Sequence, residues 1–129
     1  RGTMAKHKLA PPTQELVINQ GDDFVFQVTI KDDKDKPVDL TGYSFVCKVR
    51  EDAESETVLA EAVCSILEPE NGLVDIDFSH EVTSQIDTDG SYYEELAKYY
   101  YDIVQTDTQG RKERILQGPF LVSPGISYH

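Results

Sequence analysis

The chain has 129 residues and a mass of 14.5 kDa, the length of a single domain. Twenty-four acidic against twelve basic residues give a formal net charge of −12 at pH 7. That charge disfavours binding to nucleic-acid phosphates and to anionic membranes. No apolar run is long enough for a transmembrane helix, and no signal peptide is visible. We expect an acidic single domain with no cofactor and no nucleic-acid or membrane partner.

The two ends differ in character from the middle of the chain. Arg1, Gly2 and Thr3 precede Met4, a pattern typical of an expression scar. We interpret 1–13 as this scar followed by a flexible N-terminal arm, and 125–129 as a C-terminal tail. Lys6 and Lys8 place positive charge in the arm, so they are candidates for a basic contact with another protein. The remaining residues, 14–124, form the predicted domain.

Alternation of apolar and polar residues dominates this domain and predicts β-strands. The pattern is clearest from Phe24 to Ile30, where apolar residues recur at every second position. Residues 58–67 and 73–78 flank an Asn71-Gly72 turn and predict a hairpin. Gly118-Pro119 suggests a bulge or an edge irregularity in the last strand. The seven predicted strands are 14–19, 24–30, 43–50, 58–67, 73–78, 98–106 and 111–122.

One short helix is predicted between strands five and six. Ser79 is a favourable N-cap, and Val82 and Ile86 recur four residues apart, which predicts a helix over 80–86. Seven short strands without a repeating strand–helix–strand rhythm indicate an all-β fold. The specific prediction is an immunoglobulin-like antiparallel β-sandwich with Greek-key connections, and a small barrel is the alternative.

Few residues of the chain are candidates for catalysis or metal binding, and their signals are weak. Cys47 and Cys64 lie in apolar runs and are interpreted as buried free thiols, with a disulfide left open. No phosphate-binding, dinucleotide, nucleophile-elbow or zinc-protease motif occurs, so we expect no enzymatic activity and no catalytic residue. Acidic residues at 87–95 raise the question of calcium, but the EF-hand spacing fails and solvated turn residues remain the preferred interpretation. The weak metal candidates there are Asp87, Asp89 and Glu94.

Tyrosines are concentrated between positions 92 and 101. Tyr99 and Tyr101 fall on the core side of the predicted sixth strand, so Tyr100 should point to the other side. Tyrosine is favoured at protein interfaces because it contributes a large contact area at a small entropic cost. Tyr92, Tyr93 and Tyr100 are therefore interface candidates, with packing of a loop onto the domain as the alternative.

Several segments taken together carry a resemblance. They are the 37–43 stretch PVDLTGY, the strand ending Lys48-Val49-Arg50, the Asn71-Gly72 hairpin, the 99–103 stretch YYYDI with its turn at 107–110, and the closing 116–118 and 122–124 segments. Over roughly 15–124 the chain resembles the immunoglobulin-like domain of tailed-phage structural proteins, similar to the N-terminal domain of phage upper baseplate proteins. The segment 87–97 is longer than the short link usual in that family.

The resemblance implies a structural role and no catalytic site. It implies a phage or prophage virion protein, produced in the host bacterial cytoplasm, that docks without catalysis onto baseplate, tail or capsid neighbours. Such domains often assemble as homo-oligomers beside other virion proteins. The alternative is a stand-alone cell-surface adhesion module that binds carbohydrate or depends on calcium.

Overall fold

The computed structural model describes residues 12–86 and 97–123. Seven strands account for most of this part of the chain, which confirms the predicted all-β class with seven strands. A 3-10 turn, Pro69–Asn71, joins β4 to β5, and a single helical turn, α1, follows β5 at His80–Thr83. The strands are β1 (Leu16–Asn19), β2 (Phe24–Thr29), β3 (Ser44–Arg50), β4 (Val58–Glu68), β5 (Leu73–Phe78), β6 (Ala97–Thr106) and β7 (Lys112–Ser123).

All seven strands belong to one mixed sheet with the order β1-β7-β6-β3-β4-β5-β2. Six of the seven strands are joined by antiparallel pairings, whereas β1 runs parallel to β7, with Leu16 opposite Phe120. The chain therefore enters at one end of the sheet and continues at the other end, in β2. Local alternation cannot reveal this arrangement, because it specifies faces and not neighbours.

The long strand β4 bends the sheet. Its first half pairs with β3 up to Ala62, and its second half pairs with β5 from Val63 onwards. The two halves of the sheet consequently face each other across a common core. Phe78 of β5 and Phe120 of β7, far apart in strand order, pack with ring centroids 5.1 Å apart. The result is a sheet curled almost into a barrel.

The core is formed by the alternate residues that the sequence pattern assigns to the inner face. Phe78, Tyr101 and Phe120 are its largest fully buried side chains. Burying apolar area stabilises the fold by roughly 25 cal/mol per Å². Two buried core residues come from connections: Ile86, which follows α1, and Leu40, at the turn before β3. Leu40 is fully buried, and its N–H donates to the carbonyl of Pro69 at 2.8 Å.

The structure corrects several predicted boundaries. The helix predicted over 80–86 ends at Thr83, although Ser79 does cap it by accepting a hydrogen bond from Val82 N. The bulge predicted at Gly118-Pro119 is wrong: both residues pair regularly with β6, and the register shifts between Ile103 and Val104 instead. The first strand begins at Leu16 and not at residue 14, and the other predicted strand ends move by one residue at most.

Candidate docking faces of the sheet

The outer face of β3, β6 and β7 collects basic side chains. Along each strand the inward residues alternate with outward ones, and each strand has lysine or arginine at one or two of its outward positions. Register brings these positions together: Lys48 lies between Asp102 of β6 and Glu61 of β4, Arg50 lies opposite Tyr100, and Arg114 lies opposite Val104. We call this surface the basic face. Its basic residues are Lys48, Arg50, Lys98, Lys112 and Arg114.

A buried carboxylate organises the centre of the basic face. Asp102 is only 4% exposed. One of its oxygens lies 3.4 Å from Nη1 of Arg50, and the other lies 3.1 Å from Nε of Arg114. A single carboxylate thus holds two guanidinium groups, which leaves a local excess of positive charge. Arg114 is half exposed, so one of these groups remains open to a partner.

Tyr100 lies on the same face, beside the arginines. Its hydroxyl donates to Oε1 of Gln117 at 2.6 Å. Partial burial raises the pKa of this phenol above its usual range, so the group stays neutral at physiological pH. Arginine and tyrosine are the residue types enriched where protein interfaces bind most strongly. Tyr100, predicted as an interface candidate, therefore occupies a position suited to that role.

Exposed apolar side chains accompany the charges. Val46 of β3 is 40% exposed and lies opposite Val104 of β6. Val63, at the bend of β4, is 67% exposed. Large aliphatic groups left in water on a sheet face are available for burial against another surface.

The opposite outer face, on β2 and β5, carries the other sign of charge. Asp75 and Asp77 point outward from β5, between β2 on one side and β4 on the other. The neighbouring outward residues of β2 include Val25, which is 50% exposed. Neither strand contains a lysine or arginine. We call this surface the acidic face, formed by Val25, Gln27, Thr29, Asp75 and Asp77.

Most of the other predicted site residues lie outside the described part of the chain. These are the interface candidates Tyr92, Tyr93, Lys6 and Lys8 and the metal candidates Asp87, Asp89 and Glu94. Within 12–86 and 97–123, no three His, Cys, Asp or Glu side chains group as a metal site would require. The aspartates of the turn after β2 serve the backbone: Asp32 accepts hydrogen bonds from the N–H groups of Lys34 and Lys36.

The two cysteines are free, and their environment disfavours thiolate chemistry. Cys47 is fully buried and Cys64 partly so. Burial raises the pKa of Cys64 to about 11 and that of Cys47 further still, so both remain thiols. Cys47 pairs with Ala62, which places Cys64 diagonally across the strands. Diagonal neighbours lie about 7–8 Å apart, too far for an unstrained disulfide.

His80 contributes to local structure at the start of α1. Its backbone N–H donates to Oδ1 of Asp23 at 2.6 Å, and its Nδ1 lies 3.1 Å from the same oxygen. The hydrogen bond from the His80 backbone holds the pKa of Asp23 below its usual value. The hydroxyl of Thr83, at the end of the helix, donates a hydrogen bond to the carbonyl of Asp22 at 2.7 Å. These contacts join α1 to the turn before β2.

Asp102, Arg50 and Arg114 form a cluster that was not predicted from the sequence. A signal for them is present in the sequence: Lys48 and Arg50, Tyr100 and Asp102, and Lys112 and Arg114 each stand two residues apart, as residues on one face of a strand do. The spacing predicts a common face within each strand. It does not indicate that these three strands are neighbours, which depends on tertiary pairing.

The fold and its surfaces define a class: an all-β domain with two oppositely charged outer faces. No protein-family model matches the chain. No curated protein matches it either. In the described residues, no helix has both the length and the apolar character needed to cross a membrane.

Solved structures offer distant likenesses. Murine CRIg aligns with 85% of this chain and 91% of its own, at 12% identity and a TM-score of 0.40. A 2,6-sialyltransferase of Vibrionaceae Photobacterium sp. JT-ISH-224, in a ternary complex with CMP and lactose, aligns with 91% of this chain at 10% identity and a TM-score of 0.31. This chain spans only 19% of the length of that enzyme. At these scores neither likeness bears on function.

Proposed function

We propose that the chain is a non-catalytic structural or assembly protein of a tailed-phage or prophage virion. In this proposal an immunoglobulin-like β-sandwich docks onto neighbouring virion proteins, and copies of the chain assemble with one another. One layer of the sandwich is β1-β7-β6-β3 with the first half of β4, and the other is the second half of β4 with β5 and β2. Helix α1 closes one end of the core.

The observation that carries the proposal is the character of the two outer faces. They combine charged groups with exposed valines across a hydrogen-bonded sheet, as expected for a docking module. Two of the segments that carry the phage resemblance also form part of the scaffold of the basic face. The stretch at 37–43 leads into β3, and the stretch at 99–103 lies within β6, beside β3.

The direct test is the composition of phage particles. Particles induced from the bacterium that encodes the chain should contain it in a fixed copy number, measured by quantitative mass spectrometry of gradient-purified virions. A gene deletion should yield incomplete tails or baseplates in electron micrographs, and a plasmid copy should restore them. Complete, infectious particles that lack the protein would refute the proposal.

A second measurement separates the adhesion-module alternative. A calcium-dependent module gains stability from the ion by mass action, by about 2.7 kcal/mol at a hundredfold excess over Kd. The proposed structural protein should unfold at the same temperature in calcium and in EDTA. A calcium-dependent rise in Tm, abolished by substituting Asp87 and Asp89 with asparagine, would favour the alternative.

A further inference from the structure

Positive charge is segregated on this acidic molecule. Within the described residues, the lysines and arginines form two groups. Lys31, Lys34 and Lys36 lie at the turn after β2, and the rest lie on β3, β6, β7 or the turn between β6 and β7. The acidic face, in contrast, has aspartates at its centre and no base on its two strands. Opposite charges therefore stand on opposite outer surfaces.

We propose that the basic face of one copy binds the acidic face of a second copy, in a head-to-tail contact. Lysine and arginine of the first copy then meet Asp75 and Asp77 of the second. The exposed valines are buried between them: Val46 belongs to the basic face and Val25 to the acidic face, and Val63 of β4 lies opposite Asp77 at the border of the acidic face. This proposal rests on the proposed function, because it names a partner for the same docking surfaces.

The net charge of −12 does not prevent this contact. At physiological salt the Debye length is about 8 Å, so charges on remote parts of the two copies are screened. The charges that face each other across the contact decide its sign, and these are opposite. Two basic faces placed together would instead oppose like charges, which disfavours a symmetric pairing of that face.

The basic face is broad enough for its side of a specific contact. Strands lie about 4.8 Å apart and rise about 3.3 Å per residue, so its three strands and their neighbours cover roughly 600–800 Å². A standard interface buries about 800 Å² on each partner. Because the two faces of one copy differ, the contact is heterologous, and repeating it generates a ring or an open filament.

The test compares charge-reversed full-length chains by sedimentation velocity. Lys48→Glu with Lys98→Glu reverses the basic face, and Asp75→Lys with Asp77→Lys reverses the acidic face. Each variant alone should self-associate at least tenfold more weakly than the unchanged chain. An equimolar mixture of the two variants should recover association, because each reversed face then meets a complementary one. High salt, about 500 mM, should weaken every complex.

The chain offers a matched control for each reversal. Lys34→Glu with Lys36→Glu makes the same change in net charge at the turn after β2, and Glu54→Lys with Glu56→Lys does so in the loop before β4. These controls should associate like the unchanged chain. Circular dichroism of every variant confirms that the sheet is intact before association is measured.

Distinct outcomes overturn the proposal. If the unchanged chain stays monomeric up to about 1 mM at low salt, the proposal is refuted, because a specific contact should have a lower Kd. Association that the two reversals leave intact, or that their mixture fails to restore, would refute it as well. The particle experiment is independent: a monomeric chain found in virions would refute the head-to-tail contact and leave the virion role, with docking onto other virion proteins, standing.

Discussion

At the residue scale, Asp102 is the most consequential polar group among the described residues. It is nearly fully buried, and both of its oxygens pair with guanidinium groups. Removing one partner from a buried ionic cluster costs more than the cluster contributes, because the remaining charges lose their compensation. Asp102 therefore fixes the positions of Arg50 and Arg114 and, through them, the shape of the basic face.

We predict that Asp102→Asn lowers the free energy of unfolding by about 1–3 kcal/mol. The figure lies below the usual cost of breaking a buried pair, since Arg114 is half exposed and can turn towards water. Urea denaturation with two-state analysis measures the change. Asp35→Asn is the control, because the ion pair between Asp35 and Lys31 is exposed and should contribute little. Equal effects of the two substitutions would contradict the prediction.

At the element scale, the attachment of β1 depends on a close approach of two backbones. Gly118 of β7 has a φ of +155°, and a Cβ there would clash with the carbonyl of Gln14. That carbonyl also accepts a hydrogen bond from the buried hydroxyl of Tyr101 at 2.7 Å. Gln14 N–H donates to the carbonyl of Gln117 at 2.8 Å. A glycine at this position allows the chain before β1 to lie against β7.

We predict that Gly118→Ala destabilises the protein by about 2–4 kcal/mol and accelerates amide hydrogen exchange in β1 before the other strands. Gly110→Ala is the matched control. It also stands at a positive φ, +83°, but nothing lies within 4 Å of the added Cβ. That substitution should cost about 1–2 kcal/mol and leave exchange in β1 unchanged. Protection of β1 that survives Gly118→Ala would show that the close approach is dispensable.

The sequence predicted the strands well because each has its own alternating pattern. In β3 and β5 the residues assigned inward, such as Cys47 and Ile76, are fully buried. The end of α1 was missed because Val82 and Ile86 share a face in a turn as well as in a helix. Asn71-Gly72 correctly marked a hairpin, although a 3-10 turn precedes the glycine.

Other features escaped prediction because they depend on which strands become neighbours. The parallel pairing of β1 with β7 joins segments about a hundred residues apart, and no local pattern encodes it. The division of β4 between two partners is equally invisible in its regular alternation. The cluster of Asp102, Arg50 and Arg114 follows from these pairings. The sequence thus predicted the face of the strand on which Asp102, Arg50 and Arg114 each lie, but not that the three side chains contact one another.

At the scale of the whole molecule, two electrostatic effects act together. The excess of acidic residues makes the folded chain repel itself, and lowering the pH relieves this repulsion. Turn aspartates act in the opposite direction. Hydrogen bonds from the backbone of Arg111 and Gln109, together with the Arg111 side chain, lower the pKa of Asp107. Backbone N–H groups of Lys36 and Lys34 do the same for Asp32.

These two aspartates give a signed prediction. Because the folded-state pKa lies below the ordinary aspartate value of 3.8, the unfolded chain binds more protons in this range, and stability rises with pH. Their contribution is present above the unfolded pKa and is lost as the pH falls through the folded pKa. The unchanged chain should therefore be more stable than the Asp32→Asn, Asp107→Asn variant at about pH 6, and the difference should shrink towards pH 3.

Global repulsion changes in much the same way in both chains and largely cancels in their difference. Urea midpoints across this range measure the effect, with Glu54→Gln, Glu56→Gln reporting the loss of net charge alone. A difference that stays constant with pH would mean that the turn carboxylates are not linked to folding, and that repulsion alone governs the acid response of the molecule.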